Sequence, residues 1–203
     1  VKCTAICRRD TEKQYKDVYY GHKQTGMHTM IERRSCGWKG VLSAMAYETF
    51  ESVEGIIQSI NRGDSCCTMM VSLISNSNIV NVVVTGDTTI VDNVRLRPGM
   101  RIAAFYDANL PVPAVYPPQY RAELVTSLRR NQQVKLDYFD DNLTSSDNTL
   151  RLNIGPTTNV QTLNGQQYTC SPENSELLVY YTTTTFSIPA QTTPQKVIVL
   201  CEY

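Results

Sequence analysis

From about residue 50 onward apolar and polar positions alternate along the chain, a period of two that predicts half-buried strands. The pattern is densest in Arg101–Val125 and returns, altered, in Glu176–Leu200. In each stretch an apolar strand ends in two aromatics, Phe105 and Tyr106 or Tyr180 and Tyr181. A loop follows, and then a proline-led triplet, Pro117-Pro118-Gln119 or Pro189-Ala190-Gln191, enters another strand.

Around these stretches the pattern predicts a strand over Val53–Ile60, with Gly55 where a small barrel's strand must bend, and a turn at Asn61–Asp64. Strands over Cys67–Ser75 and Ile79–Thr85, joined by a turn at Asn76-Ser77-Asn78, are expected to pair antiparallel. Arg97-Pro98-Gly99 turns the chain into Met100–Tyr106. Further on, Val134, Leu136 and Tyr138 alternate with polar neighbours, as do Leu150, Leu152 and Ile154, with a turn-rich segment Asp140–Asn148 between them. Gly155–Val160 echoes Gly86–Val91, in the same order relative to the aromatic strand.

About five strands in each half fit a small closed barrel, because closure removes exposed strand edges. The expected fold is all-β: two tandem small β-barrels, OB-like, from an internal repeat and preceded by an N-terminal arm. A two-sheet sandwich is the rival. The expected boundaries are 1–48 for the arm, 49–130 for the first barrel and 131–203 for the second.

Three pieces, Phe105–Pro113, Tyr116–Ala122 and Ser187–Pro194, carry a resemblance. Over about residues 50–203 the chain resembles a group of short, uncharacterised β-rich proteins of Firmicutes, the bacilli and clostridia. That resemblance implies a bacterial β-rich protein. It brings no activity and no functional residue.

Composition changes the picture mainly through charge. The 203 residues carry 19 basic and 19 acidic side chains and are 41% hydrophobic, enough for ordinary cores. Residues 1–48 hold nine Lys/Arg and five Asp/Glu, net +4, and the remainder ten and fourteen, net −4. An acidic body without a cationic stripe is a poor partner for a phosphate backbone, so nucleic acid is not expected. No apolar run is long enough for a membrane span and no signal-peptide pattern is visible.

The arm holds both histidines, the only tryptophan and three of the seven cysteines. An odd count leaves at least one thiol without an intrachain partner. Two readings stay open: buried thiols in a reducing compartment, or disulfide cross-links to another subunit through Cys3, Cys7 and Cys36. Zinc held by Cys3, Cys7, His22, His28 and Cys36 fits no compact ligand spacing, so no metal or other cofactor is expected. From residue 49 on there is no histidine, and there is no nucleophile elbow, phosphate loop or dinucleotide fingerprint. Asp140-Asp141 reads as a solvated turn, and Cys66-Cys67, if in a strand, face opposite sides. An enzyme is not expected.

Proline at a strand entrance with glutamine beside it reads first as a structural corner. Twelve tyrosines supply the other reading, a ligand-binding surface formed by Tyr106, Tyr116, Gln119, Tyr120, Tyr180, Tyr181 and Gln191. The leading functional expectation is a non-catalytic structural protein that self-assembles through its arm into an oligomer or filament. An extracellular setting or a cell or spore surface is expected ahead of the cytoplasm. The alternative is a module that binds an oligosaccharide or peptide, with a small ligand still open as a partner.

Overall fold

A computed structural model of the chain describes residues 49–201. The described chain is all-β. A single 3-10 turn at Val91–Asn93 is its only helical element among the described residues.

The first half contains β1 (Phe50–Arg62), β2 (Met69–Ser75), β3 (Asn78–Val84), β4 (Thr89–Ile90), β5 (Arg101–Asp107), β6 (Gln119–Arg121) and β7 (Leu124–Ser127). These form one seven-stranded sheet in the order β4-β7-β5-β1-β2-β3-β6. β1 serves two partners: Phe50–Ile56 run antiparallel to β5, and Ile56–Arg62 antiparallel to β2, with a bulge between Ile57 and Ser59. Gly55 sits at the changeover. A Cβ there would lie 2.7 Å from the carbonyl oxygen of Ile74, so only glycine lets β2 approach this closely. The expected β2–β3 hairpin forms through Asn76 and Ser77, both at positive φ, the backbone that a two-residue turn between twisted strands demands.

The second half contains β8 (Gln133–Phe139), β9 (Leu150–Leu152), β10 (Asn159–Thr162), β11 (Ser175–Tyr181), β12 (Ala190–Thr192) and β13 (Lys196–Leu200). Four of these make a sheet in the order β10-β13-β11-β8, and β12 pairs with β9 as a separate two-stranded sheet. The sequence echo has matching contacts. The Thr88 hydroxyl donates to the Ala122 carbonyl (2.8 Å) and accepts from the Thr85 N–H, while the Thr158 hydroxyl donates to the Pro194 carbonyl (2.8 Å) and accepts from the Gly155 N–H.

The core lies in three layers. Ile57, Leu73, Val82, Ile102 and Val125 fill one layer within the first half, and Phe139, Leu152, Leu177, Val179 and Val197 fill one within the second. Between them is a third, built by both halves: Ala103, Phe105 and Leu124 pack with Leu178, Tyr180, Ile198 and Leu200. β5, β11 and β13 are therefore buried on both faces, which accounts for their continuous apolar runs.

These observations correct the expectation of two tandem OB-like barrels. The strands are distributed over three sheets, and the surfaces that two separate barrels would expose instead share a core layer. Four parallel ladders, β3–β6, β4–β7, β9–β12 and β10–β13, bring the chain back in the same direction about 35 to 40 residues later. Such returns are what successive coils make, and the architecture is closer to a β-solenoid of stacked coils than to two small β-barrels.

Candidate functional site

β5 ends by presenting Tyr106, the loop 107–118 leaves the sheet, and β6 brings Gln119, Tyr120 and Arg121 back along β3. The rings of Tyr106 and Tyr120 stack with centroids 4.2 Å apart and planes 22° from parallel. Directly opposite on β1, Glu51 accepts a 2.9 Å hydrogen bond from the Tyr106 hydroxyl. Burial pushes the Tyr106 phenol well above its ordinary value and the Glu51 carboxylate adds to the shift, so the group is a neutral donor.

Asp107 closes the root of the loop, its Oδ1 accepting from the Thr49 hydroxyl (2.8 Å) and the Asn109 N–H (2.9 Å). Pro111, Pro113, Pro117 and Pro118 restrict the backbone beyond, and the Tyr116–Pro117 bond is cis. Under the loop is a cavity of about 210 Å³, walled by Leu110, Pro111, Val112 and Pro113 on one side and the tyrosine pair on the other. Gln119, Asp107 and Arg121 are its polar positions; Arg121 also lies 3.6 Å from Asp87 and 3.8 Å from Glu123.

Of the residues the sequence singles out, Tyr106, Gln119 and Tyr120 meet at this cavity. Tyr116 stands on the same loop, 86% exposed, outside the cavity wall. The other three lie in the second half. Tyr180 is only 3% exposed: its hydroxyl is 2.7 Å from Thr126 Oγ1 and Lys196 Nζ lies 5.2 Å from its ring centre, so it is part of the shared core layer. Tyr181 packs against the second-half core, and burial raises its phenol too. Gln191 lines a shallow groove with Asn153 and Thr183–Thr185, its Oε1 accepting from Asn153 at 3.4 Å.

Leu110, Val112 and Arg121 also line the cavity and are not among the residues that the sequence marks, although the uncharged, proline-spaced run 108–118 carries a signal for the loop. Nor are Phe186 and Ile188, whose side chains stand fully in solvent at 107% and 97% exposure.

Cys3, Cys7 and Cys36 lie outside the described residues, as does the set with His22 and His28. No disulfide joins two of the described cysteines, Cys66, Cys67, Cys170 and Cys201. Cys66 and Cys67 are exposed in the turn between β1 and β2, not in a strand, and Arg62 Nη2 donates to Cys66 Sγ at 3.0 Å. Asp140 Oδ1 accepts from the Asn142 and Thr144 N–H groups and so organises its own turn. Among the described residues no group of three or more His, Cys, Asp or Glu is placed to hold a metal ion, and no helix is long and apolar enough to cross a membrane. No protein-family model matches the chain, and no curated protein matches it.

Proposed function

We propose that this chain is a non-catalytic interaction protein whose β body holds an apolar segment of a polypeptide in the cavity between the Tyr106–Tyr120 stack and the loop 107–118. The observation that carries this reading is the cavity itself, stiff-walled, apolar and edged by a few polar groups. Its size favours a peptide side chain over an oligosaccharide. About 210 Å³ is below the roughly 300–1,000 Å³ of pockets that enclose a whole small molecule. The proline-restricted wall also reduces the ordering cost of binding.

Opposite net charges of residues 1–48 and of the body support a second reading, in which the basic, cysteine-bearing arm docks on another copy and builds an oligomer or filament. In both readings the chain acts by contact and not by chemistry.

A titration of the full chain with short apolar, proline-containing peptides, followed by calorimetry, tests the first. Tyr120→Ala is expected to abolish heat of binding while leaving the far-ultraviolet circular dichroism unchanged. Equal binding by the variant would remove the cavity from the function.

A further inference from the structure

We infer that the occupant of the cavity is a second copy of this chain, whose Phe186, with Ile188 beside it, enters between the tyrosine stack and the loop 107–118. The inference rests on the cavity reading above and names the partner.

The tip is built for presentation. Phe186 and Ile188 make no use of their own chain's interior, yet the backbone that carries them is pinned. Thr185 N–H donates to the Gln191 carbonyl at 2.9 Å and Gln191 N–H donates to Thr185 Oγ1 at 2.9 Å. Ser187 Oγ lies 2.7 Å from Thr185 Oγ1 and donates to the Pro189 carbonyl at 2.8 Å. Two fully wet apolar side chains on a fastened turn lose little freedom on docking and gain burial.

The two surfaces match in charge and in size. Residues 182–195 contain no charged side chain, and neither do residues 108–118, in a chain that is 19% charged overall. Interface centres are depleted in charge in just this way, and the two ions at the cavity edge are already partnered, Asp107 by Thr49 and Asn109 and Arg121 by Asp87 and Glu123. The cavity takes one aromatic side chain, and the half-exposed Leu110 and Val112 of its wall are left to meet Ile188. Gln119 and Arg121 face the hydroxyl-rich approach Thr182–Thr185 as hydrogen-bond partners at the rim. Because every copy has one tip and one cavity, the contact joins two different patches. It either closes as a reciprocal pair or continues from copy to copy.

The test is light scattering on the full chain, in reductant so that exposed thiols do not cross-link, over a concentration series. Phe186→Ser removes the tip and Val112→Arg blocks the cavity, both at exposed loop positions. Each variant alone is expected to associate at least about tenfold more weakly than the native chain. Mixed, they are expected to recover a one-to-one pair, since one supplies the cavity and the other the tip. Ile188→Ser is expected to weaken association less than Phe186→Ser. Native-like association by Phe186→Ser, or no pairing in the mixture, overturns the inference. If the tip variants behave like the native chain while Tyr120→Ala still loses added peptide, the cavity reading stands and its occupant is another polypeptide.

Discussion

Phe105 and Tyr180 enter the shared core layer near the ends of β5 and β11, and Tyr106 and Tyr181, one residue later, lie elsewhere, Tyr106 at the cavity and Tyr181 against the second-half core. Tyr180 therefore brings a hydroxyl into the shared core layer, where it is bonded to Thr126 Oγ1 at 2.7 Å. Burial is the larger influence on this phenol and raises it; the Thr126 hydrogen bond works the other way, and Asp92 adds to the rise. The folded value then lies above the unfolded value of about 10. A neutral acid shifted upward contributes stability that is fully present below about pH 10 and is lost as pH rises through the folded value. Tyr106 and Tyr181 are shifted in the same direction. Unfolding stability, measured by urea titration at a series of pH values, is expected to fall above pH 10 by up to about 1.4 kcal/mol per pH unit for each such phenol. Tyr180→Phe is expected to cost about 1 kcal/mol at neutral pH and to make the alkaline fall shallower. An unchanged alkaline slope in that variant would show that Tyr180 ionises as readily in the folded chain as in the unfolded one. That the two tyrosines serve different layers was available in the sequence, because a period of two carried to the last residue of β11 puts Tyr180 and Tyr181 on opposite faces. What lay on each face was not.

At the scale of the element, β1 is the strand on which the first half turns. It exchanges β5 for β2 at Gly55 and Ile56, and the bulge just after lies where one thirteen-residue strand passes from one antiparallel partner to the other. Gly55→Ala would drive a methyl group against the Ile74 carbonyl, which is backbone and moves only with β2. We expect a loss of roughly 1–3 kcal/mol in denaturant unfolding, of the size usual for overpacking. Gly86 is the internal control: a Cβ there meets nothing within 4 Å and its φ is not positive. Gly86→Ala is expected to be neutral or to stabilise by up to about 1 kcal/mol, through the unfolded chain. A similar loss in both variants would mean that close approach is not the reason for Gly55. Elements of this kind were legible. The turn at Asn76-Ser77 and the alternation of β2 and β3 have a local cause written in adjacent residues, whereas Gly55, expected as the bend of a barrel strand, is set by the approach of Ile74 from β2. The loops at 107–118 and 182–189 were legible only as proline corners. Whether such a corner covers a cavity or projects into solvent depends on what returns beside it, and that is decided by β6 and β12 through non-local pairing.

For the whole molecule, the consequence of the shared layer is cooperativity. A sequence can announce that β5, β11 and β13 are buried on both faces, since their apolar runs barely alternate, but period and composition carry no information on which strand lies across from which. Two closed barrels and a stack with a common middle layer present the same strings. The stack differs in what happens when its middle is damaged. Leu178 is wholly buried and belongs to the layer that Phe105 and Leu124 enter from the first half. Leu178→Ala is expected to cost about 2–5 kcal/mol, the range for a buried leucine whose site collapses only in part. Because Lys196 of β13 also holds Asp92 of the 3-10 turn at 2.7 Å, the second half is tied to the first by an ion pair as well as by packing. The loss should therefore be felt by both halves. Hydrogen exchange of backbone amides is the measurement: amides of β5 and of β11 are expected to lose protection by the same free energy in Leu178→Ala, in one transition. Loss confined to β8, β11 and β13, with β1, β2 and β5 keeping their native protection, would mean that the halves open separately and that the middle layer is a contact and not a core.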